Sequence, residues 1–173
     1  MKKILVGTHN KGKFKEISYL LRRKIKKFSP KQLKIKSPRE VGKTFKDNAK
    51  LKANYFSKFT QLPVISDDSG LCIKSLNGNP GIYSARWAKR YKTFNGAMKF
   101  ILKKMKRNKD RSATFICSLS FKHFKRKPIT VIGKIKGSIS HKIIGTKGFG
   151  YDPIFIPQSQ SITFGQMSKL KKI

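Results

Sequence analysis

KILVGTHNKGKFKEISYLL, residues 3–21, sets the reading of the whole chain. Lys3 to Val6 is a short apolar run that ends at Gly7, which suits a buried first strand. Thr8 to Lys13, THNKGK, is a small polar loop. Phe14, Ile17, Leu20 and Leu21 then fall on one helical stripe. The chain therefore opens as strand, loop, helix, and the rest is read outward from that order.

Residues 24–43 are basic and poorly periodic, with one strand expected around Leu33 to Ile35 before the loop SPREVGK. Thr44 caps a second helix carrying Phe45, Ala49, Ala53 and Phe56. Pro63 to Ser66 reads as a strand that runs into Asp67-Asp68-Ser69-Gly70, with Leu71 to Leu76 as its continuation or hairpin partner. NGNPG, residues 77–81, is a loop. Phe94 to Met105 keeps the i, i+3, i+4, i+7 rule and is the clearest helix, its methionines core. Ala113 to Phe121 and Ile129 to Gly137 alternate as two longer strands.

Length and composition exclude several classes. A chain of 173 residues can bury about 70% of its unfolded surface and needs no second domain, so one domain over 1–173 is expected. Cys72 and Cys117 lie 45 residues apart without a CxxC or Cys/His cluster, which argues against a disulfide framework or zinc site and fits a reducing cytoplasm. The first residues lack a signal-peptide core, and no later stretch approaches a membrane span. The formal charge is +35, from 42 Lys and Arg against seven acids. Cations run through every segment, 34 of them Lys and 8 Arg. Base readers favour Arg, so the charge reads as a solvated basic surface with nonspecific affinity for nucleic acid, not as a specific interface.

Acid is scarce, so each carboxylate needs an account. Two readings stand for DDSG: an Asx-type turn at a hairpin, or paired carboxylates for metal-assisted attack on a polyphosphate. THNKGK, between strand and helix, places Gly12 for close backbone approach and Lys11 and Lys13 for phosphate oxygens, although it lacks P-loop spacing. Glu40 can complete a metal site with Asp68. In GFGYD, Phe149 or Tyr151 offers a stacking face, and Asp152 can accept hydrogen bonds from ring N–H groups. A 6-oxopurine donates from N1, whereas adenine presents an acceptor there.

Taken in order, TxNxGK, GKTFKDNAKLKA, SDDSGL, GNPGIYSARWA and GTKGFGYDPIF resemble the inosine triphosphate pyrophosphatase family over nearly the whole chain. The resemblance implies hydrolysis of noncanonical purine nucleoside triphosphates (ITP, dITP, XTP) to the monophosphate and pyrophosphate, with Mg²⁺, in the cytoplasm, by a homodimer. The implied fold is α/β: a long mixed twisted sheet flanked by helices, two lobes around a nucleotide-binding cleft.

Residue by residue, the resemblance makes Thr8, His9, Asn10, Lys11, Gly12 and Lys13 the phosphate loop, and Asp68 the metal-binding catalytic acid or base. Ser69 becomes a substrate contact; Phe149, Gly150, Tyr151 and Asp152 the base segment; Lys172 a nucleotide-binding lysine. Where the family carries an acidic pair before the glycine at Gly42, this chain reads Arg39 and Glu40. The family continues past a lysine like Lys172 into a Ser-His-Arg motif and a closing helix. A domain lacking that helix is therefore expected. The alternative is a catalytically impaired member that binds nucleotides or nucleic acid through its basic surface.

Overall fold

The computed structural model describes residues 2–168. Among the described residues six strands form one sheet in the order β2-β1-β3-β4-β5-β6. They are β1 (Lys3–Val6), β2 (Lys26–Phe28), β3 (Val64–Ile73), β4 (Ser112–Lys122), β5 (Ile129–Ile139) and β6 (Phe155–Pro157). The α-helices are α1 (Lys11–Leu20), α2 (Phe45–Ser57), α3 (Ser84–Arg90) and α4 (Phe94–Lys104). β1 pairs parallel with both β2 and β3, while β5 and β6 are antiparallel. The sheet is thus mixed and the fold α/β, as the resemblance implies.

The chain divides into two compact units, Met1–Asp68 with Cys117–Gly133, and Ser69–Ile116 with Lys134–Ile173. β3, β4 and β5 each contribute residues to both. In the first unit Leu5, Phe56 and Val64 are fully buried, and Phe28, Leu33, Ile35 and Tyr55 pack against them. The strand expected at Leu33–Ile35 is instead three residues at Lys26–Phe28. Leu33 and Ile35 lie in a turn and the segment after it, and they reach the core as plugs from outside the sheet. Gly7, at the end of β1, is required for space: a Cβ there would meet Ser66 Oγ at 2.2 Å and the Phe56 ring at 2.6 Å.

In the second unit α4 lays Ala97, Met98 and Ile101 on Leu71, Ile73, Ala113, Ile139 and Phe155. Thr93 accepts a hydrogen bond from Gly96 N and caps that helix. Burying such a continuous apolar set contributes stability on the order of 25 cal/mol per Å² removed from water.

DDSG is not a turn. It lies in the middle of a ten-residue strand, with Asp67 and Asp68 respectively 2% and 5% exposed. The turn reading fails because β3 continues straight through to Ile73.

Replacing Gly7 with alanine should lower the unfolding free energy by about 2 kcal/mol through overpacking. The urea midpoint measures it, and an unchanged midpoint would mean that Ser66 and Phe56 move aside freely.

Candidate functional site

Successive side chains of a strand point to opposite faces of its sheet, and this rule divides the acidic pair. Asp67 Oδ2 takes the Lys13 Nζ of α1 at 2.8 Å. Asp68 Oδ2 accepts from Asn48 Nδ2 of α2 at 3.0 Å. Neighbours in sequence, the two carboxylates have different helices as partners, so one ion held jointly by both is not what this strand builds.

On the Asp68 side, α2 carries more than Asn48. Lys52, one helical turn on, is buried and pairs with Glu40 Oε1 at 2.8 Å. Asn48 also receives Gly42 N–H on its Oδ1, at 2.8 Å. One amide therefore ties the loop before α2 to the carboxyl of β3. Gly42 permits the approach, since a Cβ there would meet Asn48 Oδ1 at 2.6 Å. Thr44 caps α2 by accepting from Asp47 N at 3.1 Å and donating to Asp47 Oδ2 at 2.7 Å. The cap fixes the helix start, and with it the positions of Asn48 and Lys52.

Burial raises the Asp68 carboxyl above the ordinary carboxylate range. The Lys52 and Lys13 ammoniums oppose this, the Glu40 charge adds to it, and the Asn48 hydrogen bond opposes it. Lys13 has the mirror arrangement. Burial disfavours its charge, yet the Asp67 and Asp68 carboxylates outweigh that and hold its pKa above the usual lysine value.

The THNKGK loop is ordered by its own side chains. Asn10 caps α1, its Oδ1 accepting from Gly12 N at 2.8 Å and Lys13 N at 3.2 Å. Thr8 Oγ1 accepts from Asn10 N, and His9 Nδ1 lies 2.6 Å from Ser37 Oγ. The amides of Gly12 and Lys13 are engaged by the cap. Lys11 is exposed, whereas Lys13 is turned onto Asp67.

Ser69 follows Asp68 on β3 and is half-buried. In the second unit Asp152 Oδ2 accepts from Phe149 N at 3.0 Å, closing the turn that contains Gly150 at φ 67°. Tyr151 is 2% exposed, lies edge-on to Phe94 and donates its hydroxyl to Ser84 O at 3.0 Å. Of the two rings offered as alternatives for stacking, Tyr151 is an internal anchor and Phe149 is the half-buried ring. Lys172 lies outside the described residues.

Sequence reading missed Asn48 and Lys52. Their signal was present: a polar and a cationic residue four apart on the α2 stripe that also buries Phe45, Ala49 and Phe56.

Lys13→Met deprives buried Asp67 of its ammonium and should lower the unfolding free energy by about 3 kcal/mol. Urea unfolding reads this directly; a loss below about 1 kcal/mol would mean that the pair behaves as a solvated surface bridge.

Residues 4–173 match the Ham1 family. A dITP/XTP pyrophosphatase of Caulobacter vibrioides is 39% identical over 172 residues, covering 98% of this chain and 89% of the relative. A dITP/XTP pyrophosphatase of Oceanobacillus iheyensis is 41% identical over 177 residues, covering 99% and 90%. Among solved structures, a HAM1 protein from Coxiella burnetii matches with TM-score 0.88 at 33% identity, covering 99% of this chain and 90% of that one. On sequence and fold alike, the chain belongs to the Ham1 family.

Proposed function

We propose that this chain is a nucleoside triphosphate pyrophosphatase that hydrolyses noncanonical purine nucleotides, dITP, XTP and ITP, to the monophosphate and pyrophosphate. The observation that carries the reading is Asp68, a buried carboxyl of raised pKa held by Asn48 beside the Lys52–Glu40 pair. It stands in a chain whose relatives along nearly its full length are named dITP/XTP pyrophosphatase. A general base works best when its pKa is lifted toward the operating pH, and burial does this for Asp68. In this mechanism Asp68 takes the proton of a water that attacks the α-phosphorus, and pyrophosphate leaves. Asn48 fixes the carboxylate's orientation. Exposed Lys11 meets phosphate oxygens directly; Lys13 reaches them by exchanging the Asp67 carboxylate for phosphate. In the second unit Phe149 is the candidate ring for stacking, and Asp152 the candidate acceptor for a 6-oxopurine N1–H, with Gly150 and Tyr151 holding that turn.

A divalent cation, Mg²⁺, belongs to this reading. Among the described residues no group of three or more His, Cys, Asp or Glu forms a ready-made metal cluster. Mg²⁺ does not require one, because it is commonly held by one or two carboxylates together with substrate phosphates and waters. Asp68 and Glu40 fit that mode: the Glu40 charge acts on Asp68, and an added cation would relieve their repulsion. Arg39 is exposed while Glu40 pairs with Lys52, which favours Glu40 as the second acid. The ion, when bound, would neutralise polyphosphate charge and acidify the attacking water. The resemblance extends the proposal to a homodimer in the cytoplasm. Free Cys72 and Cys117 are compatible with a reducing compartment, and no helix among the described residues is long and apolar enough to cross a membrane.

Pyrophosphate release from dITP, XTP and ITP with Mg²⁺, against ATP and GTP, tests the reading; absence of turnover on all five would overturn it. Asp68→Asn should reduce turnover by about a hundredfold or more. The same change has a stability signature. A carboxyl whose folded pKa is raised stabilises the fold below its unfolded pKa, and that contribution is lost as pH rises through the folded value. Above the folded value the metal-free protein carries the whole loss, so Asp68→Asn should melt higher than the parent in chelator, by a margin that grows as pH rises from the unfolded toward the folded value. A lower melting point, or full activity, would count against the assignment.

A further inference from the structure

In the second unit the two faces of the sheet are lined differently. Leu71 and Ile73 of β3, Ala113 of β4 and Ile139 of β5 belong to the core with α4. The alternate positions of those strands carry Cys72, Thr114, Lys136 and Ser138, which line a groove of about 670 Å³. A loop at Gly78 and a turn at Gln158 to Gln160 bound it. Both are backbone-defined: Gly78 has φ 78°, Ser159 has φ 65°, and Gln158 N–H donates to Lys136 O at 2.9 Å. Gly137 is what lets β6 approach, since a Cβ there would meet Ile156 O at 2.2 Å.

The chemistry of this groove is one-sided. Lys74 and Lys136 line it, and Lys134 acts electrostatically on Cys72. Hydroxyls and amides supply further donors. None of the described residues that line it is an acid or an aromatic. The nearby carboxylate is Asp110, which meets Lys74 Nζ at 3.2 Å and is held at about 2 by hydrogen bonds from Ser112, with Lys74 adding to them. It remains charged at neutral pH, and it offsets one ammonium but not the others. Nucleic acid strands held on a sheet usually rest their bases on aromatic rings, and this face offers none. Its volume falls within the range of small-molecule sites.

We propose that this groove is a binding site for a small phosphorylated anion, an oligophosphate or a sugar phosphate, separate from the residues assigned to catalysis. Lys136 and Lys74 hold the phosphate oxygens, Thr114 and Ser138 donate hydroxyl hydrogen bonds, and Cys72 lies within the occupied volume. The proposal does not depend on the pyrophosphatase reading.

Cys72 makes the site readable in the intact 173-residue chain. With Cys117→Ser leaving Cys72 as the remaining thiol, its alkylation rate is followed against tripolyphosphate and, separately, ribose 5-phosphate. Potassium chloride at matched ionic strength is the control. Protection should saturate and approach about tenfold when the probe is at ten times its dissociation constant. Whichever probe protects at the lower concentration identifies the form of phosphate preferred. Lys74→Ser with Lys136→Ser should abolish protection, whereas Lys89→Ser with Lys92→Ser, a pair outside the groove, should keep it. The proposal fails if neither probe protects, if potassium chloride protects equally, or if protection survives loss of Lys74 and Lys136. It fails also if a short RNA protects at lower phosphate concentration than either probe, since that would give the groove to a nucleic acid strand.

Discussion

The two-residue period of β3 is the constraint on which the candidate site depends. Because alternate side chains leave a strand on opposite faces, Asp67 and Asp68 are committed to different surroundings as soon as Val64 pairs with Leu5 of β1. Lys13 answers one and Asn48 the other. A one-residue register slip would exchange them, placing the wrong carboxylate beside Lys52 and Glu40. Close packing at Gly7, where Ser66 and Phe56 leave no room for a Cβ, is one of the contacts that hold this register.

Electrostatics follow from that geometry. Two buried carboxylates on adjacent residues would be difficult to sustain if both faced a single apolar environment. Here each is matched by cations or donors from a different helix, and the matching is unequal. Lys13 and Asp67 form a direct ion pair, while Asp68 receives a neutral amide from Asn48 and the fields of Lys52 and Lys13. Inequality of this kind gives two identical side chains different surroundings, one in an ion pair and one on a neutral amide.

Much of this was legible in the sequence. Thr44 and the spacing of Phe45, Ala49, Ala53 and Phe56 gave α2 its start and its buried face, and the alternation of residues 113–121 and 129–137 gave β4 and β5. Phe94 to Met105 likewise appears as α4. DDSG was harder, because Asp, Ser and Gly are turn formers by local propensity, and only pairing within the sheet overrides this. Asn48 and Lys52 escaped for the converse reason: their partners, Asp68 and Glu40, are distant along the chain or in a loop, so helical periodicity registers them only as breaks in an apolar stripe. Nothing local reveals that the Tyr151 hydroxyl reaches Ser84, 67 residues away, so GFGYD by itself does not tell which ring is internal.

The Asn10 cap has a thermodynamic consequence. A helix whose first amides wait for an anion must have its start ordered by ligand, and affinity is reduced by the entropy of that ordering. Here the side-chain carbonyl of Asn10 already occupies the amides of Gly12 and Lys13. An anion arriving at this terminus therefore meets a finished helix, and any bond it makes to those amides replaces an existing one. Occupancy there is an exchange of acceptors, with little change in exposed surface or heat capacity.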